Sequence, residues 1–549
     1  MRLLLIAAVL ATAPLARAQG VLGGDAPPTR ADTLRGTVTP ERAWWDVTYY
    51  DLDIAVEPVA RTIRGQVGIS YRVLQPALEM QIDLQEPLAV DAVEQDGAAL
   101  AWRREGNAVF VRLASPQRVG SVRTVTVRYH GTPRVARNAP WDGGFVWAQD
   151  SLGRPHVATA VQGLGASAWW PVKDSQTDEP DSQRVAVTVP DPLTNVSNGR
   201  LRRTTPNGDG TTTFEWFVAN PINTYNVALN IGRYARFSDT YASEAGPLTL
   251  DFYPLALNEA RARRQFAQTA PMLACFERWF GPFPWPEDGF KLVETPFLGM
   301  EHQSAIAYGN EYQNGYLGRD LSGTGTGLTW DYILVHESGH EWWGNSLTSE
   351  DIADMWVHES FTTYSENLYV ECQQGRDAGA AYVIGQRESI QNDAPIVGQF
   401  GVNREGSGDM YFKGANVLHT VRQLVGDDER WRQALRGLQQ TYRHQTVTGM
   451  EVRDFLAEAT GVDLAPVFEQ YLETTRIPAL EIRLDGPALL YRWANVVPGF
   501  AMPVEVTLAG RPETLRPTRA WQSMPAGVQR ASEVLLDPDY FVTLRATGK

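Results

Sequence analysis

The stretch VHESGHE, residues 335–341, decides how the rest of this chain is interpreted. It places His336 and His340 four residues apart and Glu337 directly after the first histidine. The spacing predicts a helix from about residue 328 to residue 343. Residues i and i+4 lie on the same helix face, so both imidazoles can bind one metal ion while Glu337 reaches a water molecule beside it. The segment therefore predicts a metal centre.

A third ligand candidate is Glu359, which follows His340 after eighteen intervening residues. Three protein ligands with one open position are typical of a catalytic zinc site, so we expect one zinc ion. A pattern with a third histidine is excluded because position 346 is Ser346. His358 would point to another helix face. The competing interpretation is a chance match of packed polar histidines.

Two acidic residues are candidates to orient the histidines from outside the ligand set. Metal-bound histidines usually donate their second ring nitrogen to a carboxylate or carbonyl. Glu366 lies two helical turns after Glu359, on the same face, and Asp354 precedes Glu359 by five residues. The alternative for both is a solvated surface acid.

Composition restricts the class of protein. The 549 residues are 43% apolar and 21% charged, as in ordinary globular proteins. The net charge of −15, without a dense basic run, argues against nucleic acid as a partner.

The N-terminus predicts export. Residues 1–18 read as a signal peptide, with Arg2, an apolar run and a small-x-small cleavage site. No later stretch reaches the roughly 20 apolar residues that a spanning helix needs, so we expect no stable membrane insertion. The expected location is periplasmic or extracellular. The two cysteines, Cys275 and Cys372, are expected to be separate buried thiols, although an oxidising compartment would let them pair.

Patterning along the chain predicts a multidomain α+β protein. Residues 19–44 read as a poorly ordered leader without periodicity. Short alternating strands predict an antiparallel β domain over 45–235, helical spacing predicts a mainly helical domain over 236–474, and alternation returns in a small β-sandwich over 475–549.

Several separated motifs resemble one enzyme family. Besides the metal signature, Gly299-Met300-Glu301-His302 looks like a G-x-M-E-N motif with His in place of Asn, and Tyr411 opens a Y-x-K-G-A-like segment. Gln162, ahead of Trp169-Trp170, is a weaker match. Together they resemble the zinc aminopeptidases of the aminopeptidase N and leukotriene epoxide hydrolase type, the gluzincins. The resemblance covers about residues 45–472, in a short form without the family's large helical C-terminal domain.

The resemblance implies a thermolysin-like catalytic domain and a role for each matched residue. Glu337 would be the general base, Tyr411 would stabilise the oxyanion, and Glu301 would bind the free α-ammonium group of a peptide. Gln162, Gly299 and Met300 would complete the substrate site. Alternatives are an endopeptidase or epoxide hydrolase on the same zinc site, or a catalytically silent peptide-binding scaffold. The sequence carries no prediction of oligomeric state.

Overall fold

The computed structural model describes residues 27–547, so the predicted signal peptide lies outside the described residues. The first elements are two short helices, α1 (Arg30–Gly36) and α2 (Pro40–Ala43). The expectation of a poorly ordered leader is therefore wrong for this part. Thr29 caps α1 in a reciprocal capping box with Asp32, and a proline opens α2, so local signals fix both helices.

The next region is a set of β-sheets. Its strands are β1 Trp45–Glu57, β2 Thr62–Val73, β3 Glu79–Asp83, β4 Ala89–Gln95, β5 Ala98–Ala99, β6 Ala101–Glu105, β7 Ala108–Arg112, β8 Val122–Gly131, β9 Gly144–Gln149, β10 Pro155–Ala160, β11 Ser182–Pro190, β12 Thr194–Val196, β13 Arg200–Pro206, β14 Thr211–Val218 and β15 Asn230–Gly232. The largest sheet has the order β13-β14-β11-β1-β2-β8-β4-β5. Most pairs are antiparallel, as predicted, but β1 and β11 run parallel. Alternating side chains of β1 and β2 enter a core that is formed by this region together with Tyr253 and Val293 of the next one.

A mainly helical region follows, with a sheet at its start. Its elements are β16 Phe237–Ser243, β17 Gly246–Tyr253, α3 Glu259–Gln265, α4 Thr269–Phe280, β18 Phe290–Glu294, β19 Gly299–Met300, β20 Ile306–Tyr308, α5 Tyr332–Gly339, β21 Leu347–Ser349, α6 Trp356–Gln374, α7 Arg376–Gly385, α8 Phe412–Val425, α9 Asp428–Tyr442, β22 Gln445–Val447, α10 Gly449–Thr460 and α11 Ala465–Leu472. The sheet order is β16-β17-β18-β20-β19, so β19 is an edge strand.

Helix α5 is shorter than the sequence predicts. It starts at Tyr332 because the Asp331 carboxylate caps it by accepting from the backbone N–H of Leu334. It ends at Gly339, with His340 as the C-cap residue. Both histidines are buried on the side of α5 that faces α6.

The last strands form two small sheets that pack on the helical region. They are β23 Ala479–Asp485, β24 Ala488–Ala494, β25 Val504–Leu508, β26 Arg511–Leu515, β27 Gln522–Pro525, β28 Val534–Leu536 and β29 Thr543–Ala546. Their sheets have the orders β27-β24-β23-β29 and β26-β25-β28. Apolar side chains of both sheets are continuous with the core around α4 to α11.

Cys275 of α4 and Cys372 of α6 form a disulfide, with their Cα atoms 6.0 Å apart. The expectation of two separate thiols is therefore wrong. The two residues are 97 positions apart, and only the packing of α4 against α6 brings them together. In the described part of the chain, no helix combines the length and apolar character needed to cross a bilayer.

Candidate functional site

The predicted ligands converge between α5 and the start of α6. Nε2 of His340 lies 3.4 Å from Oε2 of Glu359, and Nε2 of His336 lies 3.7 Å from the same oxygen. The ligand atoms of these three buried residues all lie within 4.8 Å of one another. Within the described chain, Glu359 Oε2 is buried without a hydrogen-bond partner. Two imidazoles and a carboxylate oxygen that needs a partner fit a zinc ion.

The second nitrogen of each ring has its own partner. Nδ1 of His336 lies 2.7 Å from Oε1 of Glu366, and Nδ1 of His340 lies 2.9 Å from the carbonyl oxygen of Trp343. A carboxylate and a carbonyl can only accept, so each Nδ1 carries a proton and each Nε2 is the nitrogen that would bind a metal ion. Both rings are thus oriented with Nε2 toward Glu359.

Charge and burial compete at the carboxylate ligand. Burial acts to raise the pKa of Glu359, but the two histidines outweigh it and hold that pKa well below its usual range. The ligand is therefore ionised throughout the physiological pH range.

Of the two acids predicted to orient the histidines, the structure places one there. The Glu366 carboxylate binds His336 and also accepts from Tyr382 at 2.9 Å and Gln386 at 3.1 Å. Asp354 does not contact either histidine, so that prediction is wrong. Its carboxylate accepts from the Trp356 indole at 2.9 Å and the Gly449 N–H at 2.8 Å, because the residue precedes α6 and points away from α5.

His358 also turns away from the ligands. Its Nε2 accepts from the backbone N–H of Ser349 at 2.8 Å. Its position next to Glu359 in sequence therefore puts it on another face of α6, as the sequence predicts.

Glu337 faces the metal ligands from α5, and Gly299 of β19 lies directly against it. A Cβ atom at position 299 would lie 2.5 Å from Oε1 of Glu337, so only glycine allows β19 to pass this close. Burial raises the pKa of Glu337 to about 8, against the opposing charges of His336 and His340. This carboxyl group can both accept a proton near neutral pH and hold it.

A second carboxylate, Glu301, lies beside the metal ligands. Ligand atoms of Glu301, Glu337 and His340 lie within 4.8 Å of one another. Gln162 donates to Oε1 of Glu301 at 2.6 Å, and Tyr225 donates to the same oxygen at 2.9 Å. Burial raises the pKa of Glu301. A positively charged group would favour its ionised form and would fit this position.

Met300 follows Gly299 in the same edge strand. Its side chain is buried in a small apolar cluster with Ala158, Ala160, Phe297 and Ala307. Met300 thus packs β19 against the N-terminal β region, directly next to Glu301.

Tyr411 approaches the metal ligands from the turn before α8. Its ring centroid lies 6.1 Å from that of His336, with the rings nearly parallel. Burial and several surrounding carboxylates raise its pKa, so its hydroxyl stays a proton donor. Gly414 lets the first turn of α8 approach α6, because a Cβ there would lie 2.0 Å from Oγ of Ser360.

The sequence alone does not indicate two residues near this site, Tyr225 and Glu405. Tyr225 belongs to no motif, and only the fold brings its hydroxyl to Glu301. Glu405 is half-buried six residues before Tyr411, and its pKa is raised to about 7 by burial and by the Glu359 charge. Its position six residues before Tyr411 is the sequence feature that could have indicated Glu405.

His302, which stands where the resembled motif has Asn, is fully buried, and in the described chain neither of its ring nitrogens has a hydrogen-bond partner. Burial lowers the pKa of His302 to about 3, so the ring is neutral at physiological pH.

Comparison with known proteins agrees with this geometry. A family model described as the peptidase family M1 domain matches residues 264–471, which include Glu301, both histidines, Glu359 and Tyr411. Aminopeptidase B of Rattus norvegicus is 25% identical over 339 residues, covering 58% of this chain and 49% of the relative. Human aminopeptidase B is 23% identical over 453 residues, covering 75% of this chain and 65% of the relative. The chain thus spans about half to two thirds of the length of these relatives.

Solved structures share the fold. An M1 zinc metallopeptidase from Deinococcus radiodurans, solved as a mutant with a Tyr-Ser-Ala substrate, has a TM-score of 0.68 at 22% identity. The match covers 81% of this chain and 98% of that one. The same enzyme without the mutation gives a TM-score of 0.66 at 23% identity. The chain therefore has the fold of these M1 zinc metallopeptidases, and its residues 264–471 match the peptidase family M1 domain.

Proposed function

We propose that this protein is a zinc-dependent aminopeptidase that removes single residues from peptides with a free N-terminus. The observation that carries the proposal is the position of Glu301. Its carboxylate lies within 4.8 Å of the His340 ligand nitrogen, beside the three predicted metal ligands. A cation bound there leaves room for about one residue before the metal site, whereas an internal peptide segment offers no cation to pair with it.

His336, His340 and Glu359 would hold one zinc ion. When bound, zinc polarises the scissile carbonyl and lowers the pKa of water toward neutrality. Glu366 keeps His336 in the required tautomer, and the Trp343 carbonyl does the same for His340.

The chain's own residues supply the proton transfers. Glu337 accepts a proton from the attacking water and passes it to the leaving amine, the role of a general acid–base carboxyl group. The Tyr411 hydroxyl donates a hydrogen bond to the oxygen that becomes negative during attack. Glu301, Gln162 and Tyr225 hold the α-ammonium group. The first peptide bond of the substrate then lies beside Glu337 and Tyr411.

The test follows the products of one peptide by mass spectrometry. Purified protein is given the free peptide and the same peptide with an acetylated N-terminus, before and after chelation and zinc readdition. Stepwise loss of N-terminal residues from the free peptide, abolished by the chelator and restored by zinc, is the expected result. Internal cleavage or equal cleavage of the acetylated peptide would favour an endopeptidase, and no cleavage of either would favour a silent scaffold.

We also propose that the protein is exported, with cleavage after Ala18. The predicted signal at residues 1–18 motivates this proposal, and the disulfide between Cys275 and Cys372 supports it, because disulfides persist mainly in oxidising compartments. The mass of the intact native protein tests it. A mass that includes residues 1–18 would contradict export by cleavage.

A further inference from the structure

The segment Thr29–Ala43, here called the leader segment, is anchored to the N-terminal β region. Leu34 of α1 is buried, and its carbonyl accepts from Nε2 of Gln81 at 3.1 Å. The Arg42 guanidinium is fully buried and pairs with the Asp83 carboxylate at the end of β3. A buried ion pair of this kind holds its partners in one geometry, since either charge alone would be costly. The leader segment therefore has a fixed position on the β region.

From there the leader segment reaches the catalytic region. Gly36 lies so close to the hairpin at residues 396–407 that a Cβ would come within 2.1 Å of Asn403 N and 2.6 Å of Val402 N. The Gly36 backbone is not in the left-handed region, so the requirement for glycine here comes from this contact alone. The hairpin runs directly into the segment that carries Tyr411.

The leader segment also contacts the turn that carries Gln162. Arg35 pairs with Asp174 at 3.3 Å, and Asp174 accepts from the Ser167 N–H at 3.2 Å, just beyond that turn. From the other side, Asn403 of the hairpin donates to the Gly163 carbonyl at 3.1 Å.

One narrow cavity joins these parts. Arg35, Gln162, Tyr225 and Asn403 all line it. Two of the four, Gln162 and Tyr225, are the side chains that bind Glu301.

We propose that the leader segment is a positioning element of the α-amine site. It contacts both the Gln162 turn of the β region and the hairpin that donates to Gly163 of that turn, and so holds Gln162 where it donates to Glu301. Gly36 and Arg35 are the positioning residues, and neither touches the substrate. The inference rests on the proposed aminopeptidase function, which it deepens.

Substitution of Gly36→Ala tests this with one methyl group. The hairpin must move by more than a few tenths of an ångström, and displacement of about 1 Å near a binding site can cost up to roughly 100-fold in rate constants. Because the amine contacts form on substrate binding, we expect KM for an aminoacyl amide to rise roughly 5- to 50-fold. Zinc content should not change, and kcat should stay within about twofold, because Ser360 of α6 holds the Met410 carbonyl, next to Tyr411, at 2.7 Å.

Gly408→Ala is the matched control. Gly408 lies three residues before Tyr411, has an ordinary φ, and has no atom within 4 Å of a Cβ added there. It should keep the wild-type KM. An unchanged KM in Gly36→Ala, or a parallel loss of kcat and zinc, would overturn the proposal.

Two further measurements keep the proposal testable. If Gly36→Ala does not fold, Arg35→Gln removes the Asp174 ion pair without adding volume and should also raise KM. Hydrogen exchange of residues 162–165 and 399–407 should be faster in either variant than in wild type, and an unchanged exchange pattern would count against the proposal. Exchange does not depend on turnover, so an inactive wild-type protein would refute the aminopeptidase proposal without deciding the leader's role.

Discussion

Replacing Glu301 with glutamine removes one negative charge beside the metal site while keeping the size of the side chain. Gln162 and Tyr225 both bind Oε1 of Glu301, and the amide oxygen of a glutamine can still accept from them. The α-ammonium group, by contrast, loses its ionic partner. We expect weaker use of substrates with a free N-terminus and an intact metal site.

The size of the effect follows from the site. Glu301 is 2% exposed, so its interaction with a cation is little screened by water. A hydrogen bond to a charged group contributes about 1.5–3 kcal/mol. Since about 1.4 kcal/mol is a factor of ten, kcat/KM should fall roughly 10- to 150-fold.

The assay compares kcat/KM for an aminoacyl amide with that for the matched N-acetyl peptide, alongside zinc content. Glu277→Gln is the control: Glu277 is also buried, but it accepts from Tyr241 at 3.1 Å and from the Phe283 N–H at 3.1 Å, away from the metal ligands. The control should lose little activity. A change of less than threefold in Glu301→Gln, or an equal loss on both substrates, would refute the assignment of Glu301 to the α-amine.

Three further predictions concern separate parts of the site. Tyr411→Phe should lower kcat by roughly 100- to 1,000-fold, as expected for a lost oxyanion donor, while zinc content by mass spectrometry stays at the wild-type level; near-normal turnover would reject the role. Glu366→Gln should weaken zinc binding about 10- to 100-fold, because His336 loses its charged partner, and a competitive chelator titration measures this; unchanged affinity would contradict it. His302→Asn should reduce acid sensitivity. The folded-state pKa of about 3 lies below the ordinary value of 6.5, so the unfolded chain takes up a proton that the fold excludes, and stability falls as pH decreases from 6.5 toward 3. The free energy of unfolding falls by about 2 kcal/mol between pH 6.5 and 5 from this residue alone. Thermal melts at both pH values should show a smaller loss of stability in His302→Asn than in wild type, and equal losses would be inconsistent with a buried neutral ring.

The sequence predicted the metal ligands because their spacing is local. His336 and His340 share a helix face, and Glu359 falls in the first turn of the next long helix, so two element assignments bring all three together. Glu366 followed from the same helical period. Alternating strands likewise indicated a β-rich region on each side of a helical one.

Features that depend on tertiary contacts could not be predicted from the sequence. Tyr225 meets Glu301 across 76 residues, and the cysteine pair across 97, with no periodic signal in either case. The prediction for Asp354 failed because spacing alone does not tell which way a residue before a helix start points. The two helices of the leader segment were not predicted because they are too short to show a helical period. Their capping residues are nevertheless present in the sequence.

A zinc titration of metal-free protein, with bound zinc and aminopeptidase turnover measured on the same samples, tests the proposed catalytic centre itself. We expect no turnover in the metal-free protein, then a linear rise in turnover that ends at one zinc ion per chain. A Glu359→Gln variant should neither bind zinc nor regain turnover at the same zinc concentrations. Full turnover without metal, or saturation of zinc in that variant with undiminished activity, would contradict a catalytic centre built by His336, His340 and Glu359.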